Sequence, residues 1–139
     1  MKETIYYKRC VDDVIIIHDQ SKTQDGIILH EINKIDINLH FKISTEECNK
    51  INYLDINIHR NNNNMDIRIY RKTTCTDTTV LCSFNHPNEQ KIAAFRYYIN
   101  RMKTLPITKK IKKEEWKTIL AIARNNEYPI HIINNLRKN

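Results

Sequence analysis

At 139 residues, with hydrophobic side chains making up 40% of them, the chain has the length and apolar content of one small domain with a core. Its formal charge of +7 and pI near 9.3 favour a polyanionic partner. No apolar run approaches the roughly 20 residues that cross a bilayer, no charged-then-apolar leader precedes the first strand pattern, and Cys10, Cys48, Cys75 and Cys82 lack paired spacing. The expectation is a reduced, intracellular protein, nuclear or cytoplasmic, with no membrane contact.

The first element is a hairpin. Ile5, Tyr6 and Tyr7 form one run, and Val14 to Ile17 form a second, β-branched and apolar throughout, as in a strand buried on both faces. Asp12 and Asp13 fall at or beside the turn. They are either turn-formers, because Asp bonds its own backbone, or paired oxygen ligands for a hard divalent cation. Polar residues His18 to Ser21 follow, with Ser21 placed to cap a helix over about Thr23 to Asn33, whose Ile28, Ile32 and Ile35 share a face. Leu39, Phe41 and Ile43 alternate with polar residues and predict a half-buried strand. Ser44 to Asn52 reads as a polar connection.

Leu54, Ile56 and Ile58, then Met65, Ile67 and Ile69, alternate with polar residues on either side of an Asn-rich loop over 60–64. That pattern predicts a second hairpin. Lys72 to Pro87 is a loop dense in Thr, Cys and Asn. Helical patterns take over beyond it. Ile92, Phe95, Ile99 and Met102 form a stripe, with Asn88 as cap and Pro106 at its end. Thr108 to Asn125 is a second helix with Trp116, Ile119, Leu120 and Ala123 inward. Pro129 opens a third, with Ile130, Ile133 and Leu136 on one face.

These elements predict an α+β chain in three parts: a β-rich front over 1–73, a connecting loop over 74–87 and a three-helix segment over 88–139. Charge follows the same division. Residues 1–88 carry 11 basic and 12 acidic side chains, and residues 89–139 carry 12 basic and 4 acidic, a net of +8. The rear third is therefore the candidate nucleic-acid surface. Cys75, Cys82 and His86 do not have the spacing of a structural zinc site.

Four ordered stretches carry a family resemblance. Arg9-Cys10-Val11-Asp12-Asp13 resembles the aromatic-x-Asp-Asp box of reverse transcriptases, with Cys10 where that family has Tyr or Phe. Tyr53-Leu54-Asp55 resembles the Phe-Leu-Asp strand of Penelope-like and related non-LTR elements. Ile69-Tyr70-Arg71-Lys72-Thr73 resembles their Tyr-Arg-Lys-Pro-Thr box, with Thr73 in place of Pro. Ser83-Phe84-Asn85-His86-Pro87, with Lys91 downstream, resembles their Ser-x-x-His-Pro motif, and Asn126-Glu127-Tyr128-Pro129 resembles an Asn-Gly-Tyr-Pro turn. The resemblance implies a partial polymerase palm followed by a thumb-like bundle. It implies Asp12 and Asp13 as catalytic ligands of Mg²⁺ in two-metal nucleotidyl transfer. It implies Arg71 and Lys72 in a primer grip, and Lys91, Arg96, Lys109 and Lys110 on the backbone of an RNA/DNA template–primer duplex. A further metal-binding Asp of that family lies upstream of the Asp-Asp box and has no counterpart here. The expectation is therefore a fragment of a polymerase, inactive alone. Two alternatives are a helix-turn-helix-like nucleic-acid-binding module over 88–139 and a relic without function.

Overall fold

A computed structural model of the chain describes residues 4–61 and 64–138. The element order is β1 (Thr4–Cys10), β2 (Asp13–His18), α1 (Asp25–Asn33), β3 (Lys50–Tyr53), β4 (Ile56–Asn61), β5 (Asn64–Ile69), α2 (Asn88–Thr104), α3 (Lys109–Asn125) and α4 (Ile130–Lys138). β1 and β2 form a two-stranded antiparallel sheet; β3, β4 and β5 follow one another in a second sheet. The α+β expectation holds. Among the described residues, no helix is long and apolar enough to cross a membrane. The chain divides into two compact units, the first ending at Met65 and the second starting at Asp66.

In the first unit β1 and β2 are joined by Val11-Asp12, with Cys10 opposite Asp13. Val11 takes φ 55°, a left-handed conformation that a β-branched residue adopts only under strain, and its carbonyl accepts a 2.6 Å hydrogen bond from Arg9 Nε. The β3–β4 turn repeats the device with Leu54 at φ 53°, followed by Asp55. Leu54 and Asp55 are thus turn residues, not the start of a strand. The pairing strand is Lys50–Tyr53, whose first three residues lie in the segment Ser44 to Asn52 expected to be a polar connection, and Tyr53 pairs with Ile56.

Two further expectations change in this unit. Helix α1 starts at Asp25, and Ser21 does not cap it: Ser21 instead bonds Asp19 Oδ1 through both its backbone N–H and its hydroxyl, at 3.0 and 2.7 Å. Leu39 to Ile43 is not a strand, because the Asn33 amide takes the place of a partner chain. Its Oδ1 accepts from the Phe41 N–H at 2.7 Å and its Nδ2 donates to the Phe41 carbonyl at 3.3 Å. Ile28 is the one buried hydrophobic residue among those described here. An apolar groove of about 380 Å³ remains between Tyr7, Val14, Ile32, Ile35, Leu39 and Phe41.

The second unit holds the core. Phe95, Ile99, Met102, Ile107, Ile119, Ile122, Ala123, Tyr128 and Ile133 are buried together, with Ile67, Ile69, Trp116, Leu120, Ile130 and Leu136 packed against them. The three predicted helical stripes therefore converge as expected. Full burial of a side chain the size of Ile or Phe contributes about 1.5–3 kcal/mol, so the helices carry most of the hydrophobic stabilisation. The preceding loop belongs to this unit as well. Asn126 gathers it: Oδ1 accepts from Thr79 N–H at 2.9 Å, Nδ2 donates to Asp77 O at 3.1 Å, and its carbonyl accepts from Cys82 N–H at 3.1 Å.

Candidate nucleic-acid interface

Helix α3 is the element on which the basic charge is displayed. Thr108 caps it, its hydroxyl accepting from Ile111 N–H at 3.3 Å. Ile119, Ile122 and Ala123 face the core. The opposite face is set by the same periodicity. At 100° per residue, Lys110, Lys113, Lys117 and Arg124 fall within a sector of about 60° and span about 21 Å of helix. All four are exposed, and none has a side-chain hydrogen bond or ion pair among the described residues. Ala121 and Glu114 border the stripe on one side.

The start of α3 adds to the concentration. Lys109, Lys110 and Lys112 occupy its first turn, which contains no acid. Cations at this end oppose the helix dipole by about 0.3–1 kcal/mol each, a cost that a bound anion removes. Lys112 Nζ donates to Lys103 O at 3.3 Å, which brings the end of α2 beside the start of α3.

The far end of α3 is closed by a sharp turn. Glu127 N–H donates to Arg124 O at 3.1 Å and Tyr128 N–H to Ala123 O at 2.9 Å, with Glu127 at φ 64°. This is a Schellman closure whose left-handed residue, commonly Gly, is Glu. Glu127 Oε2 also accepts from the Ser83 hydroxyl at 2.7 Å. Tyr128 then anchors the turn. Its ring meets Phe95 at 4.7 Å between centroids, and its hydroxyl lies 2.6 Å from Val80 O and 2.9 Å from Lys91 O, donating its one proton between them. Burial pushes the Tyr128 phenol above its ordinary pKa, with Cys82 adding to the shift. Pro129 and Ile130 start α4, which sits on the core through Ile133, while Arg137 lies over the Trp116 ring at 4.5 Å.

The residues singled out in the sequence fall in different surroundings. Lys109 and Lys110 stand exposed at the start of α3, and Lys72 is exposed in the loop after β5. Arg71 is engaged instead: Nη1 donates to Glu115 Oε2 at 2.8 Å, Nη2 to Glu115 Oε1, and Nε lies 3.7 Å from Asp77 Oδ1. Hydrogen bonding to Glu115 holds its pKa above the ordinary guanidinium value. Its fork is occupied by protein, so it ties the loop to α3. Lys91 likewise donates to Cys82 O at 2.8 Å, and Arg96 pairs with Glu89. Asp12 and Asp13 are exposed at the first hairpin turn, far in sequence from the basic helices. Among the described residues, no group of three or more His, Cys, Asp or Glu side chains is placed to hold a metal ion.

Lys113, Lys117 and Arg124 were not singled out in the sequence, although the i, i+3, i+7, i+14 spacing from Lys110 was there to be read. The fastening roles of the buried Glu115 and Asn126 were not legible in the sequence, because their partners lie over 40 residues away; Asn126 entered there only as part of a turn motif.

Comparison with known families corrects the resemblance drawn from the motifs. Residues 82–138 match the model of the animal helix-turn-helix domain, and no reverse-transcriptase family matches. No curated protein and no solved structure matches the chain. The helices that resembled a polymerase thumb are therefore those matched as a helix-turn-helix. The polymerase reading gives way to similarity to that domain, and Asp12 and Asp13 lie outside the matched segment. The matched segment spans all three helices of the second unit and includes the α3–α4 turn. Its similarity to an animal helix-turn-helix domain is what the comparisons establish.

Proposed function

We propose that this chain is a nucleic-acid-binding module in which the helix-turn-helix segment engages a DNA duplex, with the exposed face of α3 on the phosphate backbone. The observation that carries the reading is a coincidence of two features. The segment similar to the helix-turn-helix domain, residues 82–138, holds 12 basic and 4 acidic side chains, and four of the cations line one uninterrupted sector of α3. Along about 21 Å of axis, duplex DNA carries on the order of twelve phosphates. Four cations free of protein partners match such a strip, and phosphate contacts of this kind fix register without reading sequence. Binding of this type places the chain with nuclear or cytoplasmic nucleic acid.

The test is binding of the full chain to a mixed-sequence duplex, followed by fluorescence anisotropy across a salt series. Four backbone contacts give a slope of log affinity against log salt of about −3.6, so tripling the salt weakens binding about fiftyfold. The Lys113→Gln/Lys117→Gln double variant makes the slope shallower by about 1.8. Absence of binding at low salt, or a slope that this double variant leaves alone, rejects the reading.

A further inference from the structure

The first hairpin leaves one strand short of a neighbour. The run Val14 to Ile17 has the composition of a strand buried on both faces, yet among the described residues β2 pairs with β1 alone. Val14, Ile15 and Ile16 are half-buried, and Ile17 is 38% exposed. A two-stranded hairpin is marginal in water and gains stability from a third strand or a well-packed helix. The unit around this one adds little, since Ile28 is its one buried hydrophobic residue among those described.

The two free edges of the hairpin are not alike. β1 carries the devices that discourage pairing: its register slips between Thr4 and Tyr6, and Lys8 and Arg9 occupy its second half. β2 has none of them. Val14 to Ile17 contains no charge, no Pro and no Gly, and its pairing is regular from Asp13 to Ile17. Such an edge is a template for another strand.

The residues at the ends of β2 identify that strand. When a strand pairs antiparallel with its own copy about a two-fold axis, one residue must face itself, because only then do paired side chains share a face of the sheet. Two registers of this kind retain the apolar run. Centred on Ile16, the pairing sets Asp13 against Asp19 of the second copy, acid against acid. Centred on Ile15, it sets Val14 against Ile16, Asp13 against Ile17 and Asp12 against His18, so that an acid meets an imidazole at either end. Asp12 is exposed and has no side-chain partner among the described residues. His18 is fixed at the end of the strand by a 2.7 Å contact between its Nε2 and Asp25 Oδ1. Charge therefore selects one register, and β2 is complementary to itself in it.

We propose that β2 is a self-pairing edge through which two copies of this chain associate antiparallel, centred on Ile15, in a sheet ordered β1-β2-β2-β1. Assembly stops at two copies, because the outer edges are then the two blunted β1 strands. The inference goes beyond the nucleic-acid reading and does not depend on it. A strand pair this short buries less than the roughly 800 Å² per partner of a standard interface, so the dissociation constant lies on the order of 10–100 μM.

The experiment is sedimentation of the full chain without nucleic acid from about 1 μM to about 1 mM, a range that brackets this constant, with hydrogen exchange at both ends of it. The mass rises from 16.7 kDa and levels at twice that value. The β2 amides that point away from β1 exchange at least about threefold more slowly at the upper concentration, while those on the outer edge of β1 keep their rate. Ile15→Lys sets two cations face to face at the axis and gives a monomer throughout. Asp12→Lys weakens the dimer severalfold, and Asp19→Lys, which would relieve the rival register, does not strengthen it. The exchange pattern and the two Asp variants decide the question even where Ile15→Lys unsettles the hairpin. A monomer at the highest concentration, assembly beyond two copies, unchanged exchange in β2, a dimer of Ile15→Lys, an Asp12→Lys dimer as tight as the wild type, or a tighter Asp19→Lys dimer overturns the proposal.

Discussion

Replacing Glu115 by Gln tests the joint that fastens the loop to the helical unit. Glu115 is 5% exposed and Arg71 21% exposed, and the two meet as a bidentate pair 44 residues apart. Removing one partner of a buried pair costs about 3–5 kcal/mol, because the other charge is left desolvated. Here Arg71 keeps Asp77 at 3.7 Å and the Tyr98 ring at 6.0 Å, and it is not fully buried. The lower end, about 3 kcal/mol, is therefore expected. For a unit of this size that lowers Tm by about 12–24 °C. The assay is thermal and urea unfolding of the full chain, read by far-ultraviolet circular dichroism and by emission of Trp116, the single tryptophan and the neighbour of Glu115. Replacing both partners, Arg71→Met with Glu115→Leu, removes the desolvated charge and recovers most of the loss. A Glu115→Gln loss below about 0.5 kcal/mol, the range of ordinary surface substitutions, refutes the argument. So does a double variant as unstable as the single one.

Two further outcomes follow from the α3–α4 turn. Glu127→Gly relieves a left-handed position that costs a non-Gly residue about 1–2 kcal/mol, against a smaller loss in chain entropy and in the exposed Ser83 bond. Unfolding should show a variant between neutral and about 1 kcal/mol more stable, whereas Glu127→Val should be destabilised; the reverse order refutes the Schellman assignment. Tyr128 and Tyr98 both have phenol pKa values raised by burial. A raised phenol pKa means the fold favours the neutral form, so this stability is complete below the ordinary value near 10 and is lost as pH climbs through the raised folded value. Tyrosinate absorbance in an alkaline titration should therefore rise together with the loss of helical signal; in Tyr128→Phe the unfolding limb should move to higher pH. Unfolding complete well below pH 10 would place its cause elsewhere.

The amino-acid sequence by itself determined the helical half closely. The stripes Ile92–Phe95–Ile99–Met102 and Ile130–Ile133–Leu136 and the Pro129 start are local patterns, read within one element, and stand in the structure, whereas Asn88, expected as a cap, is the first residue inside α2. The segregation of +8 onto residues 89–139 is equally a property of the chain alone. The front half was less legible, because a strand is defined by its partner. Leu39 to Ile43 has the alternation of a strand, yet the Asn33 amide occupies the Phe41 backbone; Leu54-Asp55 has the alternation too, yet it turns at φ 53°. The motifs misled for a related reason. Short boxes such as Arg9 to Asp13 record residue types in order, whereas Arg71 shows that an expected phosphate contact is spent on a buried Glu from a distant helix. Tertiary structure decided which basic residues stay free. It spent Arg71 and Lys91 on internal partners and left Lys110, Lys113, Lys117 and Arg124 in one exposed row, because packing Ile119 and Ile122 into the core turns that row outward.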